Sequence, residues 1–385
     1  MRPFATPLRQ RGFTIVEMMV GVLIGLVATV VMFQVFAVSE GQKRTTTYAG
    51  DAQQNGVASL FQMERDARQA GYGINYLPLL GCNVVGWYEP SGTPLAFTLV
   101  PVLITNGAAG APDTVTFTYA NIDLFSQPAE LTYVAPAPQT FFQVNNRYGY
   151  NEGNLILAGE PGKSCSLYQV RVLPSPTNAD RVQHDSGGYV DDGGRAQVTQ
   201  YNKPGGLGVD YNAWAPGSNT GGHLYDLGVQ PTVMTYSIVN NQLVATNNLV
   251  PTDVQVVSDG IVQMQVQYGY DGNGDGRVTS DAVINPTLVA NGPDQWADAM
   301  PAGAVAATEW QKVIAVRLVV VSRSANPEKV NPVSGVCDAT SVAPTWQSTG
   351  RAIDLSANPT WKCYRYRLFE VVVPLRNMVW FAQPS

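Results

Sequence analysis

Residues 271–281 read Asp-Gly-Asn-Gly-Asp-Gly-Arg-Val-Thr-Ser-Asp. Asp271, Asn273 and Asp275 put oxygen-bearing side chains at alternate positions, and Gly276 follows at the sixth. Alternation aims three hard oxygens at one centre, the glycine allows a sharp turn, and Arg277 at the seventh position offers its carbonyl. That donor set suits Ca2+, which the sequence predicts as a structural ion here. The pattern departs from a standard loop at its end, where position twelve is Ala282 and the acid, Asp281, stands at position eleven. No amphipathic helix flanks it, so the loop is expected between strands and not in an EF-hand. The competing reading is an Asn/Asp/Gly-rich turn after a strand that ends at Tyr270.

A second chemical feature lies near the N-terminus. Arg2, Arg9 and Arg11 precede a stretch, residues 18–39, that carries no charged side chain. At 1.5 Å per residue this run crosses the ~30 Å hydrocarbon core of a bilayer. The arginines before it predict a cytoplasmic N-terminus and an exported body. No small-residue cleavage site follows Val38, where the chain continues Ser39-Glu40-Gly41-Gln42-Lys43-Arg44, so the apolar segment is expected to be kept. Glu17 sits inside this apolar region. An unpaired carboxylate in hydrocarbon costs several kcal/mol, which by default marks a functional acid; the plain alternative is an acid snorkelling to the interface among Arg9 and Arg11.

Basic residues, then Gly12, Phe13 and Glu17 at the fifth position of a long apolar helix, together resemble the class III signal of type IV pilins and pseudopilins. The resemblance implies cleavage by a prepilin peptidase between Gly12 and Phe13, with residues 1–12 as leader, and N-methylation of Phe13. It also implies an inner-membrane helix that is later extracted into a filament, where Glu17 pairs with the α-amino group of Phe13 on a neighbouring subunit. Loss of the leader would leave the chain three charges more acidic than its formal −6. Three further blocks resemble the PilW-type minor pilins: 63–72 (Met-Glu-Arg-Asp-Ala-Arg-Gln-Ala-Gly-Tyr), 316–323 (Val-Arg-Leu-Val-Val-Val-Ser-Arg) and 365–377. These imply a minor pilin that initiates or caps a type IV pilus, with other minor and major pilins and a tip adhesin as partners. Related pseudopilins of type II secretion share the plan and stay as an alternative, as does a glycan- or surface-binding tip module.

Cys82, Cys165, Cys337 and Cys363 all lie in the part expected to be exported, where an oxidising compartment favours two disulfides. Three pairings are possible; Cys82–Cys165 with Cys337–Cys363 closes the shorter loops. The second pair would resemble the C-terminal disulfide-bounded region of many pilins. A zinc site is not expected without C-x-x-C spacing and with only His184 and His223 available. No catalytic constellation is legible. Asp185-Ser186-Gly187-Gly188 resembles a protease nucleophile loop, but its one upstream histidine is the adjacent His184, which cannot serve as base. Gly162-Lys163-Ser164 resembles a phosphate loop, but Leu157 replaces the first glycine. The chain reads as no enzyme.

These groups must be positioned by an α+β fold with a long N-terminal hydrophobic α-helix and a β-rich globular domain. No proline separates Pro7 from Pro78, and a helix over 13–70 would run roughly 85 Å. Its transmembrane and filament-core half is 13–39, and 40–73 is periplasmic. Gly41, Gly50 and Gly56 with Thr45 to Thr47 predict a kink or melted turn in its middle. Val57, Leu60, Phe61, Ala67 and Ala70 form one stripe there, with Glu64 placed four before Arg68. Gly71-Tyr72-Gly73 supplies the stop. Within the β-rich domain, 78–385, strands are predicted at 113–119, 260–270, 310–324 and 364–374, with a hairpin turning at Asn240-Asn241. Residues 174–231, rich in Gly and Asn with interspersed tyrosines, read as an elaborated insertion. Over all 385 residues only 14% are charged and 45% are hydrophobic, which excludes a disordered chain and a long coiled coil. The formal charge of −6 argues against a nucleic-acid partner.

Overall fold

The structure is a computed structural model describing residues 12–74, 79–122, 128–217, 220–279, 283–303, 305–331 and 333–379. Arg2, Arg9 and Arg11 of the expected leader, and Asp281, lie outside these. The chain divides into two units, Met1–Asp51 and Ala52–Ser385.

One helix spans Ile15–Gln69. The break expected around Gly41 to Gly56 is absent: those residues are helical throughout. Single glycines cost only about 1 kcal/mol each in a helix interior, which good helix formers on either side offset. Gly71 (φ +84°) ends the helix as its sequence suggested, and its amide donates to the Thr118 carbonyl at 2.9 Å. Glu64 and Arg68 pair along the surface.

The helical part of the second unit buries a face of small residues. Ala52, Ser59, Met63, Ala67 and Ala70 are buried, at helical spacing. Gly56 belongs to the same face, and a Cβ there would stand 2.1 Å from the Phe369 ring, so only glycine admits that ring. Of the predicted stripe, Ala67 and Ala70 are covered and Leu60 packs at the core edge, but Val57 (53% exposed) and Phe61 (69%) point to solvent. The stripe was read from apolarity, whereas close approach to the sheets selects for smallness. Asp66, also buried on this face, accepts 2.7 Å from the Tyr236 hydroxyl and fixes the helix against the strands.

Two five-stranded sheets share the main core. In the first, Val313–Arg323 is flanked by Ile261–Tyr270 and Tyr366–Pro374, with Gln295–Ala299 and Val283–Thr287 completing the far side. Ten consecutive residues of Val313–Arg323 are buried, because the strand is covered on both faces. Val316, Leu318 and Val320 point into the core with Met63, Phe117 and Tyr268. Val319 and Val321 point the other way, under Trp346, Ile353 and Leu355 of the segment closed by Cys337–Cys363. The second sheet runs Val254–Asp259, Gln242–Asn247, Thr232–Val239, Thr114–Tyr119, Val102–Thr105. Its Asn240-Asn241 turn has φ of +52° and +62°, the twin left-handed geometry of a tight two-residue hairpin.

A six-stranded sheet builds a second lobe from Thr93–Thr98, Asn83–Tyr88, Cys165–Gln169, Leu155–Gly159, His223–Gly228 and Ala129–Glu130. Strand alternation sends Leu155 and Leu157 to one core and Ile156 and Ala158 to another, so Leu155–Gly159 is wholly buried. The Gly/Asn-rich stretch 174–231 closes over this sheet, with Val182 and Tyr211 in one core and Tyr201 and Tyr225 in the other. Tyr119 and Thr232 are directly paired across the second sheet, so the chain from 120 to 231 leaves and rejoins that sheet at neighbouring positions.

His184 is a core residue of this lobe, stacked at 4.3 Å on Phe142 and 4.2 Å from Tyr168. Burial pushes its imidazole from 6.5 down to about 3, and among the described residues Nε2 has no hydrogen-bond partner. The unfolded chain therefore takes up a proton below pH 6.5 that the folded chain refuses. Stability supplied by neutral His184 is complete above pH 6.5 and is lost as pH falls towards about 3. Asp113, raised by burial to about 6, acts with the opposite sign, but it is common to wild type and variant. Urea midpoints measured from pH 7 to pH 4 should therefore fall less for His184→Phe, which keeps the stacking and cannot titrate, than for wild type.

Candidate functional site

Gly12, Phe13 and Thr14 precede the helix, and Phe13 is 87% exposed. The Gly12–Phe13 bond is therefore in non-helical backbone. Thr14 is the N-cap: its carbonyl accepts from the Met18 amide at 3.1 Å. Its amide and its hydroxyl both donate to Glu17 Oε2 at 3.0 Å, while the Glu17 amide donates to Thr14 Oγ1 at 3.2 Å. This is a reciprocal capping box, with the acid at the positive end of the helix dipole. The sequence carries its signature, Thr-x-x-Glu, which a reading focused on Glu17 alone passes over. Glu17 thus has local partners before any second chain arrives.

Beyond Glu17 the segment Ile15–Glu40 is apolar enough to cross a membrane, with a mean hydropathy of 2.5, and none of it is buried. Gly21 and Gly25 have open space around them, which allows another helix to approach closely.

The Asp271 loop follows Ile261–Tyr270, and its two outer strands are Ile261–Tyr270 and Val283–Thr287, as expected for a loop between strands. Asp271 is 1% exposed. Its Oδ1 accepts from the amides of Gly274 (2.7 Å) and Asp275 (3.3 Å), and Oδ2 from Gly276 (2.8 Å). Asn273 Oδ1 accepts from the Asp275 amide at 2.9 Å, and Asp275 Oδ1 from that of Arg277 at 2.9 Å. A further acid, Asp294, is drawn in from the far side, accepting from Gly272 at 3.0 Å and Thr279 at 3.1 Å. Spacing gives no hint of Asp294, because it reaches the loop only through the turn before Gln295–Ala299. Among the described residues, no group of three His, Cys, Asp or Glu side chains converges on one point. The donor chemistry nevertheless suits a hard cation: Asp271 keeps a lone pair beyond the three bonds it accepts. Asn273 would have to turn its amide away from Asp275 Oδ2, to which Nδ2 now donates at 3.2 Å.

Both disulfides have the pairing favoured by loop length: Cys82–Cys165 with Cα atoms 6.0 Å apart, and Cys337–Cys363 at 4.8 Å. The first ties the start of the second lobe to its sheet, where Val84 lies beside Cys165. The second closes the segment that covers Val319 and Val321. Arg351 in that segment reaches both carboxylate oxygens of Asp298, at 2.8 and 2.9 Å, and clamps it onto the sheet.

With this geometry in place, residues 229–377 match the family model of the type IV pilus-assembly protein W, PilW, and residues 7–33 match the prokaryotic N-terminal methylation motif. Together the two matches support a PilW-type minor pilin. The PilW match begins just before Thr232–Val239 and ends after Tyr366–Pro374, so it holds most of the two five-stranded sheets and leaves the six-stranded lobe outside. The family is one of structural assembly components. No curated protein and no solved structure matches the chain.

Replacing Asp271 by Ala strips three loop amides of their buried acceptor. Asp271→Ala should lower stability by about 1–3 kcal/mol in chelator-treated protein, read from the urea midpoint.

Proposed function

We propose that this minor pilin helps to start or cap a type IV pilus, by packing its helix among those of other minor and major pilins. The observation that carries this reading is the bare apolar surface of Ile15–Glu40. Such a surface needs lipid before assembly and neighbouring helices afterwards. Within the second unit, Val57 and Phe61 are further exposed apolar side chains on the helix. The N-terminus is cytoplasmic and the body periplasmic, and the helix stays in the inner membrane until the subunit is extracted into the filament; a prepilin peptidase cuts between Gly12 and Phe13. The α-amino group of Phe13 is then N-methylated and becomes a cation for the Glu17 carboxylate of an adjacent subunit. Glu17 exchanges its Thr14 bonds for that ion pair, which in a dry filament core penalises any register that leaves the charge unpaired. The β-rich body, on the same reading, contacts other minor pilins and a tip adhesin. The PilW match favours a pilus over a type II secretion filament.

Capping and charge pairing are separable. Glu17→Gln keeps a side chain that can cap the helix but removes the charge, whereas Glu17→Ala removes both. Both variants, and the cleavage-blocked Gly12→Val, should remain in the inner membrane and abolish surface pili counted by electron microscopy. Normal piliation in Glu17→Gln would reduce Glu17 to a helix cap, and normal piliation in all three would exclude the pilin mechanism.

We also propose that the Asp271 loop binds Ca2+ as a structural ion, through Asp271, Asn273, Asp275 and the Arg277 carbonyl, with Asp281 as a further ligand. The support is the coincidence of donors and turn at alternate positions. Titration calorimetry of the detergent-solubilised full chain should show heat for CaCl2 that is lost in Asp271→Ala and Asp275→Ala. No heat in the wild type would refute the site.

A further inference from the structure

A cleft of about 490 Å³ opens where the six-stranded lobe meets the second five-stranded sheet. The lobe contributes the ends of Leu155–Gly159 and Cys165–Gln169 and the hairpin Gly188–Val190 with Ala196–Val198. The sheet contributes the start of Thr232–Val239 and the residues around Asn247 and Asp253. Its volume is that of a small-molecule site.

The lining is unusual in what it lacks. Among the described residues, no Lys, Arg or His lines the cleft, and its single charge is the carboxylate of Asp253. Side-chain amides dominate the polar surface: Gln197, Gln200 and Gln230 stand exposed at the rim, and Asn247 lies half-buried. An amide both donates and accepts, as a hydroxyl group does, so a row of them matches a ligand studded with hydroxyls.

Two tyrosines give the cleft a rigid aromatic wall. The Tyr189 ring lies against Gly153, where a Cβ would come within 2.8 Å of it. Its hydroxyl accepts from Gln169 Nε2 at 3.3 Å, and Gln169 is itself buried, with Nε2 donating to the Gly153 carbonyl and Oε1 accepting from the Gln200 amide. Tyr201 is only 9% exposed and is braced 5.6 Å from Tyr88. Burial pushes its phenol up to about 12, and no described residue hydrogen-bonds its hydroxyl. With its ring buried and its hydroxyl at the cleft surface, Tyr201 presents a fixed polar group to whatever occupies the cleft.

We propose that this cleft binds a neutral saccharide. Tyrosine rings offer flat apolar faces for the C–H side of a sugar ring. The amides and the Tyr201 hydroxyl answer its hydroxyl groups, and Asp253 accepts from a pair of them. An anionic glycan is disfavoured by Asp253 and by the lack of a cation among the described lining residues. The inference does not depend on filament assembly, and it places ligand recognition at the seam between the family-matched sheets and the lobe outside them.

The test uses the detergent-solubilised full chain, titrated calorimetrically with lactose, cellobiose, maltotriose and N,N′-diacetylchitobiose, with sialyllactose as the anionic comparison. At least one neutral sugar should bind saturably, and more tightly than sialyllactose. Tyr201→Phe removes only a hydroxyl that bonds nothing in the protein, so it should leave the thermal midpoint unchanged. It should weaken the sugar about five-fold, the loss of one hydrogen bond. Tyr189→Ala and Asp253→Asn should weaken it further. No saturable binding of any neutral sugar up to about 10 mM, a limit weaker than about 3 kcal/mol, would overturn the proposal. So would tighter binding of sialyllactose, affinity unmoved by all three variants, or saturable binding of a neutral Ser/Gln peptide where no sugar binds.

Discussion

The body of this pilin depends on covering Val313–Arg323 from both sides. A strand with one wet face alternates apolar and polar residues, but this one is apolar at nearly every position and has nowhere to put a wet face. One side is met by the helix and the second sheet, and the other by the segment that Cys337–Cys363 closes. That segment has little regular structure of its own, so its order depends on the disulfide, the Arg351–Asp298 clamp and the apolar shelf of Val319 and Val321. Burying a single large aliphatic side chain contributes about 1.5–3 kcal/mol, and Trp346, Ile353 and Leu355 all lie over that shelf.

The helix meets two demands with two kinds of residue. Against the sheets it is small, so that Phe369 can sit over Gly56 and Ser322 Oγ can donate to the Ala52 carbonyl at 2.7 Å. Along Ile15–Glu40 it is large, apolar and bare, which a lone subunit in water would not tolerate. The capping box at Thr14 and Glu17 resolves a related conflict, because it gives the carboxylate at the head of an apolar helix local partners.

Much of this was legible in the sequence because the signals are local. The apolar run with Glu17, the helix stop at Gly71, the Asn240-Asn241 turn and the strands around Val316 to Arg323 each declare themselves within about ten residues. What stayed hidden depends on contacts distant in the chain. Phe142, Tyr168, His184 and Tyr211 form one core from segments that carry no shared pattern. Asp294 joins the Asp271 loop only through a turn elsewhere. The covered face of the helix was misread at Val57 and Phe61 because periodicity reveals which side is apolar, not which side is approached. The calcium donors were legible as residue types, while the amides that already occupy Asp271 were not.

The pairing of Tyr119 with Thr232 has a consequence for how such a chain can change over time. Adjacent strands lie about 4.8 Å apart, so a two-residue turn could join these positions as well as the 112 intervening residues do. The sheet is indifferent to what hangs from that hairpin. The part of the lobe between residues 120 and 231 can therefore vary in length while the second sheet keeps its register, within the limit that its strand Cys165–Gln169 must still pair with Asn83–Tyr88, to which Cys82–Cys165 ties it.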